Sequence, residues 1–449
     1  MISIKRWVWA FWTLVVPICI ASLYGPLAYR HLTVLGVLRR MKQTPLANPG
    51  DIAIIQDTIH CEDLHYHQLS QSIFTACEDT VTTRFSWFPP VAVLDDPAIV
   101  DETQGSIHVI SLETLKSRRL NLKGFNSPFV THGIDVIADP ASVDESAVFI
   151  FAVNHVPNTQ HIKTQTCTTD GSVRDTHHQK SDSRVEIFHH ILGSDSAHHI
   201  RTIRHSLITT PNDIIAVGPT NFFVTNDHYY REGLMRQVED LYFGAKWSNI
   251  IHIQLDNNMG AEPGIGAGIN ASVALSRLHN NNGLGRGPLF NELLIGSAVS
   301  GRLHIAQLPG DAGREIEIVE SIDMDSTIDN PTYFSDPFAN STYDASGYVV
   351  GGFARAIDIP RNVRDPLGKD GVMIWHVKRK QQTNGAMNEP ANGRWEKRLL
   401  FEDDGERIRS ASTALLVAID PQLENGDRKA WLFLTGPWSE NMISVKVNI

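Results

Sequence analysis

The sequence has no surplus of basic charge: 39 Lys and Arg stand against 50 Asp and Glu, a formal net charge of -11 over 449 residues. Nucleic-acid binding needs a basic face, so no nucleic-acid partner is expected. Cysteine is scarce, with four in all. That excludes a disulfide-dense scaffold, and no Cys/His spacing of a structural zinc site occurs. The EF-hand pattern is missing, so calcium sites of that kind are excluded. No GxSxG turn is present, which removes motif support for a serine hydrolase. Beyond residue 45 long amphipathic helices are almost absent, and no clean repeat period is visible.

What remains is β structure. Short apolar or alternating runs recur, among them "DIAIIQ", "GSIHVISL", "AVFIFAVNH", "NIIHIQL", "GRLHIAQL" and "KAWLFLTG", separated by Gly, Pro, Asn and Asp. So many short strands exceed one sandwich and suit the radial repetition of four-stranded blades. "HYYREGLMRQVEDLYFG" is expected to hold a helix. Polar stretches around 158–184, 277–288, 380–396 and 420–428 read as loops. The pairs His177-His178, His189-His190 and His198-His199 lie in polar sequence and read as solvated loops before metal ligands.

At the N-terminus, Lys5 and Arg6 precede an apolar run over residues 7–24. It reads as an uncleaved signal anchor, with a cleaved signal peptide as the alternative. Residues 1–44 are thus expected to be anchor and linker, and 45–449 a propeller. The chain is expected in the secretory pathway, membrane-anchored through this segment or secreted. In that oxidising setting Cys61 and Cys77, on two runs that look like neighbouring strands, are expected to pair. Of two sequons, at Asn270 and Asn340, the second is the better glycosylation candidate.

Three pairs of oxygen-bearing residues stand beside strands: Glu62-Asp63, Asn212-Asp213 and Asp329-Asn330. Each alone has a bland explanation, because Asn and Asp are turn residues and acids at strand ends are solvated. Together they form the donor set of a hard cation such as Ca²⁺. Neighbouring strand residues point to opposite faces, so adjacent acids can serve two different cations. His132 in "VTHGIDV" and His155 in "AVNHVPN" add two imidazoles beside strands.

The stretch "TIRHSLITTPNDIIAVGPTNFFVTNDHYY", joined in order by "EDLHYH", "THGI", "VNH", "GIN" and "IDN", resembles the serum paraoxonase/arylesterase family from about residue 45 onward. The resemblance implies an all-β six-bladed β-propeller with two Ca²⁺ ions in a central tunnel, preceded by an N-terminal hydrophobic helix. It also implies hydrolysis of lactones and aryl esters. By position, Glu62, Asn212, Asp329 and Asn330 would hold the catalytic ion. Asp63, Asp213 and the carbonyl of Ile134 would hold the deeper one. His132 and His155 would be the catalytic dyad, and His228 a further active-site histidine.

There are departures. Ala267 stands where the family motif before "GIN" has Asn, so one expected ligand of the catalytic ion is missing; water or a shifted residue such as Asn270 would substitute for it, or the ion would bind less tightly. The family's terminal disulfide has no counterpart, and a further histidine is replaced near Phe353. These leave open an alternative: a non-catalytic, calcium-stabilised, membrane-anchored propeller that binds a ligand or partner.

Overall fold

In the computed structural model, which describes residues 22, 24–159, 179–242, 244–256, 267–308, 315–380 and 391–449, the strands form six blades around an axis. The first blade runs outward from Leu64–His67 through Ser72–Cys77 and Ser106–Ser111 to Ser117–Arg119. The second runs Thr131–Ala138, Ala147–Pro157, Ser181–Ile191 and Ser196–Ile203, with Asn121–Lys123 added in parallel at its edge. The third runs Pro211–Gly218, Asn221–Asn226, Ser248–Leu255 and Ile269–Leu278; the fourth runs Asn281–Arg286, Glu292–Ser297, Arg302–Gln307 and Glu317–Asp323. The fifth runs Thr332–Phe334, Gly347–Phe353, Val372–Arg379 and Trp395–Asp403. The sixth closes the ring: Ala414–Ala418, Lys429–Leu434 and Met442–Asn448 are completed by Ile52–Ile55 from the other end of the propeller.

Alternation builds the blade interfaces, because successive strand residues face opposite neighbours. In the fourth blade Leu293 and Ile295 pack with Ile215, Phe223 and Ile250 of the third. Leu294, between them, packs with Tyr348, Val350 and Trp375 of the fifth. The closing blade meets the first through Leu415, Phe433 and Met442 against Leu64, Ile73 and Ile110. Cys61 and Cys77 lie in this same interface and are disulfide-bonded.

Several expectations need correction. The stretch 277–288 is not a loop: Asn281–Arg286 is the inner strand of the fourth blade. It lacks β-branched residues because the axis is crowded; a Cβ on Gly283 would strike the backbone of Asn330. His189, His190, His198 and His199 are strand residues of the second blade, with His189 on Asp139 and His199 on Glu186. The helix expected after His228 is Leu234–Leu241. Nearly all of the apolar run over 7–24, together with Cys167 and His177-His178, lies outside the described residues. Among the described residues no helix is long and apolar enough to cross a membrane.

One end of the axis is closed by an ion pair. Asp135 accepts both Nη atoms of Arg286 at 2.7 and 2.8 Å, the Ala216 amide at 2.6 Å and His65 Nδ1 at 2.9 Å. It ties the second blade to the first, third and fourth. Asp135 is buried while the Arg286 side chain is partly exposed. Removing the arginine strips a buried carboxylate of its cation without uncovering a buried cation, so Arg286→Met should cost about 1–3 kcal/mol in denaturant unfolding. Adding Asp135→Leu should recover most of it; a single variant as stable as the parent would remove this role. The disulfide spans 16 residues of sequence, so the Cys61→Ser, Cys77→Ser double variant should lose about 3 kcal/mol. Peptide mapping without reductant should recover the two cysteines linked.

Candidate functional site

The opposite end of the axis collects polar groups with few partners. Glu62 and Asp63 immediately precede the inner strand of the first blade, and Asn212 and Asp213 open that of the third. Asp329 and Asn330 precede that of the fifth, with Pro331 between. All six are buried apart from the partly covered Asp329. Contact between blades is backbone-close: a Cβ on Gly133 would lie 2.6 Å from Asp213 Oδ1 and 2.7 Å from its Cα.

The inner carboxylates are held by the neighbouring blades. Asp63 accepts the Ile134 amide at 3.0 Å and the Thr413 hydroxyl at 2.7 Å. Asp213 accepts the Leu284 amide at 2.6 Å. The outer oxygens are different. Glu62 Oε2, Asn212 Oδ1, Asn282 Oδ1, Asp329 Oδ1 and Asn330 Oδ1 are buried without a hydrogen-bond partner. Such groups normally find one, because leaving a buried polar atom unpaired costs about 1–3 kcal/mol.

The charges repeat this shortage. Burial, then Asp329 and Asp63, pushes the Glu62 carboxyl well above its usual range. Burial and Asp63 do the same to Asp213, and burial, Asp63 and Asp227 to Asp329. Burial pushes Asp63 up to about 6, against the amide and hydroxyl donors that favour its charge. Among the described residues no three His, Cys, Asp or Glu side chains form a metal-holding group by themselves. Two of the five free oxygens are carboxylate and three are amide.

Beside these oxygens His155 Nε2 lies 3.1 Å from His132 Nδ1, and His132 Nε2 lies 3.9 Å from Glu62 Oε1. His155 Nδ1 meets the Ser183 hydroxyl at 2.8 Å, and Ser183 meets Ser181 at 3.0 Å. Burial and then Arg84 lower His132 to about 3, and burial and then His132 lower His155 well below its ordinary value. Both rings are therefore neutral near pH 7, and the contact of His132 with Glu62 is no ion pair.

Sequence reasoning missed the roof over these rings. The long connection after Cys77 folds Phe88 edge-on to both imidazoles, and Trp87 Nε1 donates to the His155 carbonyl at 2.8 Å. Arg84 lies under Phe88, paired with Glu78, and donates to the carbonyls of Thr131 and His60. The run "RFSWFPP" was the available signal. His228 does not touch the dyad. It is clamped between Asp227 at 3.1 Å and Asp240 at 2.6 Å. Burial and Arg236 oppose its charge, but these acids hold its pKa above the ordinary value.

Ala267 needs correction too. It is exposed in a turn leading to the outermost strand of the third blade, and Asn270 is exposed on that strand. Neither reaches the axis. The Asn-Gly at the axis is Asn282-Gly283, on the strand that the sequence disguised as a loop.

A family model described as arylesterase matches residues 97–333. Serum paraoxonase/arylesterase 2 of Gallus gallus is 33% identical over 152 residues, covering 33% of this chain and 35% of that protein. The Homo sapiens form is 23% identical over 230 residues, covering 50% and 53%. Serum paraoxonase/arylesterase 1 of Rattus norvegicus is 42% identical over 79 residues, covering 18% and 22%. The match thus spans about a third to a half of the first listed curated relatives' length. Among solved structures, a luciferin-regenerating enzyme gives a TM-score of 0.43 at 10% identity, covering 89% of this chain and 95% of that one. With the family model spanning more than half of its length, the chain belongs to the arylesterase family.

Proposed function

We propose that this chain is a calcium-dependent hydrolase of carboxylic esters, lactones and aryl esters among them. The observation that carries the reading is the set of five unpartnered buried oxygens beside two neutral, mutually bonded histidines. A hard cation takes 6–8 oxygens and accepts amide and carbonyl donors as readily as carboxylates. Glu62, Asn212, Asn282, Asp329 and Asn330 would hold one such ion. Asp63, Asp213 and the Ile134 carbonyl would hold a second, deeper one. The residues fit a cation because, among the described residues, no Lys or Arg forms a salt bridge with these carboxylates as Arg286 does with Asp135, Arg84 acting on Glu62 only at longer range.

When bound, calcium supplies Lewis-acid polarisation of the ester carbonyl. The chain's own groups handle the proton. In the tautomer with Nδ1–H of His132 directed at His155 Nε2, the Nε2 of His132, which lies 3.9 Å from Glu62 Oε1, would be the atom that accepts a proton from attacking water, in competition with the Pro211 carbonyl that also bonds this ring. His155 in the same tautomer donates Nδ1–H to Ser183. This fixes both rings and gives the proton a path along the dyad. Phe88 and Trp87 exclude bulk water from the pair. Glu62, with its raised proton affinity, is the rival base.

We also read residues 1–44 as anchor and linker ahead of a propeller domain at 45–449, on the lumenal or extracellular side of a membrane. The exposed Tyr24, Leu27, Tyr29 and Leu32 support a lipid-facing N-terminal segment. Asn340 is an exposed sequon whose Oδ1 accepts the Thr342 hydroxyl at 2.7 Å. It lies on the connection after the fifth inner strand, at the end of the blade away from His132, so a glycan there would leave the site open.

The test is hydrolysis of a lactone and an aryl ester by the purified protein, before and after chelation, with melting followed in parallel. Chelation should abolish turnover and lower the melting temperature, since an ion at a hundredfold excess over its Kd contributes roughly 2.7 kcal/mol per site. Unchanged melting and turnover would defeat calcium dependence. Absence of any hydrolysis with calcium present would leave the binding-protein alternative. Glu62→Gln should cost about 10²–10³ in rate at saturating calcium. Asn282→Ala should raise the calcium needed for half-maximal activity, whereas Ala267→Asn should change nothing.

A further inference from the structure

Cations are crowded where they have least reason to be, beside the dyad of an acidic protein. Asp182, Arg184, Arg204 and Arg231 gather at the end of the second blade that carries Ser183. Arg184 pairs with Asp182 Oδ2 at 3.0 Å, and Arg204 takes the same oxygen. The Nε atoms of both are buried without a hydrogen-bond partner. Glu186 lies within electrostatic range of Arg184. Among the described residues Arg231 has only Asp182 as counter-charge, and two other guanidinium groups already occupy it. Its bonds, to the Gln179 side chain and the Ser181 carbonyl, all leave from Nη1 and end on neutral oxygens. Burial lowers it to about 10.

This under-compensated guanidinium lines a cavity of about 600 Å³ whose wall also includes His155, Ser183, Leu207, Tyr229 and Tyr230. A larger cavity of about 1030 Å³ opens at the ends of the inner strands near Ala138, Gly218 and Arg286, away from the dyad. Lys180, also on the smaller cavity, is already paired with Glu232 at 2.7 Å.

We propose that Arg231 anchors a carboxylate carried by the substrate, so that the site prefers esters or lactones bearing a second, ionised carboxyl group over neutral ones. The inference rests on the hydrolase reading and adds a substrate class to it. A guanidinium edge with free N–H groups matches a carboxylate with two parallel hydrogen bonds. A partly buried cation short of counter-charge gains most from a ligand that brings the charge with it. The acyl carbon of the same molecule can then lie toward the dyad, whose His155 lines the cavity, while its far end reaches Arg231. Leu207 and the tyrosines line the same cavity as Arg231 and His155.

The experiment compares monophenyl glutarate with phenyl pentanoate, a neutral ester of the same length, in wild type, Arg231→Gln and Arg231→Lys. In the wild type kcat/KM should favour the glutarate ester. Arg231→Gln should reduce that ratio roughly 10–100-fold, the worth of a hydrogen-bonded charge, chiefly through KM. Arg231→Lys should restore part of it, because the charge remains without the fork. A wild-type ratio near one, or a ratio unmoved in Arg231→Gln, overturns the proposal while leaving the hydrolase reading intact. If neither ester is hydrolysed, the hydrolase reading fails and the anchor is judged by calorimetry. Binding of monophenyl glutarate that is lost in Arg231→Gln supports it, and no binding to the wild type overturns it.

Discussion

Carboxylates buried at the axis, with no Lys or Arg among the described residues in a salt bridge to them, set the terms for the rest of this molecule. Six inner strands approach so closely that Gly133 and Gly283 have no space for a Cβ. Any polar side chain at the strand starts is therefore taken out of water. Glu62, Asp63, Asp213 and Asp329 are placed there, and each carboxyl is pushed up from its ordinary range chiefly by burial, with repulsion from its neighbours adding in three of the four. A fold that carries this cost needs either a compensating cation or carboxyl groups that remain protonated.

The contrast with the far end of the same strands is informative. Asp135 is equally buried, yet its carboxyl lies well below the usual range, because Arg286 and His65 outweigh the burial. The two ends differ in one respect, the presence of a built-in counter-ion. One end is a finished structural plug. The other is a set of oxygen donors with unfilled valence, and the imidazole pair stands beside that end and not beside the plug.

The sequence made this site legible only in part, and the reason is local. Glu62-Asp63, Asn212-Asp213 and Asp329-Asn330 announced themselves because adjacent polar residues beside an apolar run break the strand pattern. Asn282 did not. "HNNNGLGRG" has the composition of a turn, and only the packing shows that its glycines are required by contact with Asn330 and Pro331. Misreading that strand displaced the missing Asn to Ala267, at the blade's outer edge. The alternating runs made the β architecture legible, but the register that closes the ring, Ile52–Ile55 on Met442–Asn448, joins segments nearly 400 residues apart, and no local pattern reports it. Arg84, Phe88 and Trp87 were invisible for another reason: their role comes from a long connection folding back over the dyad.

The same division between strand and connection explains how specificity could vary without disturbing the chemistry. The oxygen set sits at the starts of inner strands, where a shift of one residue would reverse every side chain and break the blade interfaces. Those positions are rigid by construction. The groups around the 600 Å³ cavity come mostly from blade ends and connections: Pro89 and Pro90, Gln179 to Ser183, and Tyr229 to Glu232. Substitution there changes what the mouth attracts while leaving the axis packed. Arg231 stands on such a connection, three residues beyond the end of the Asp227–His228 clamp, where a charge can be gained or lost with little cost to the propeller.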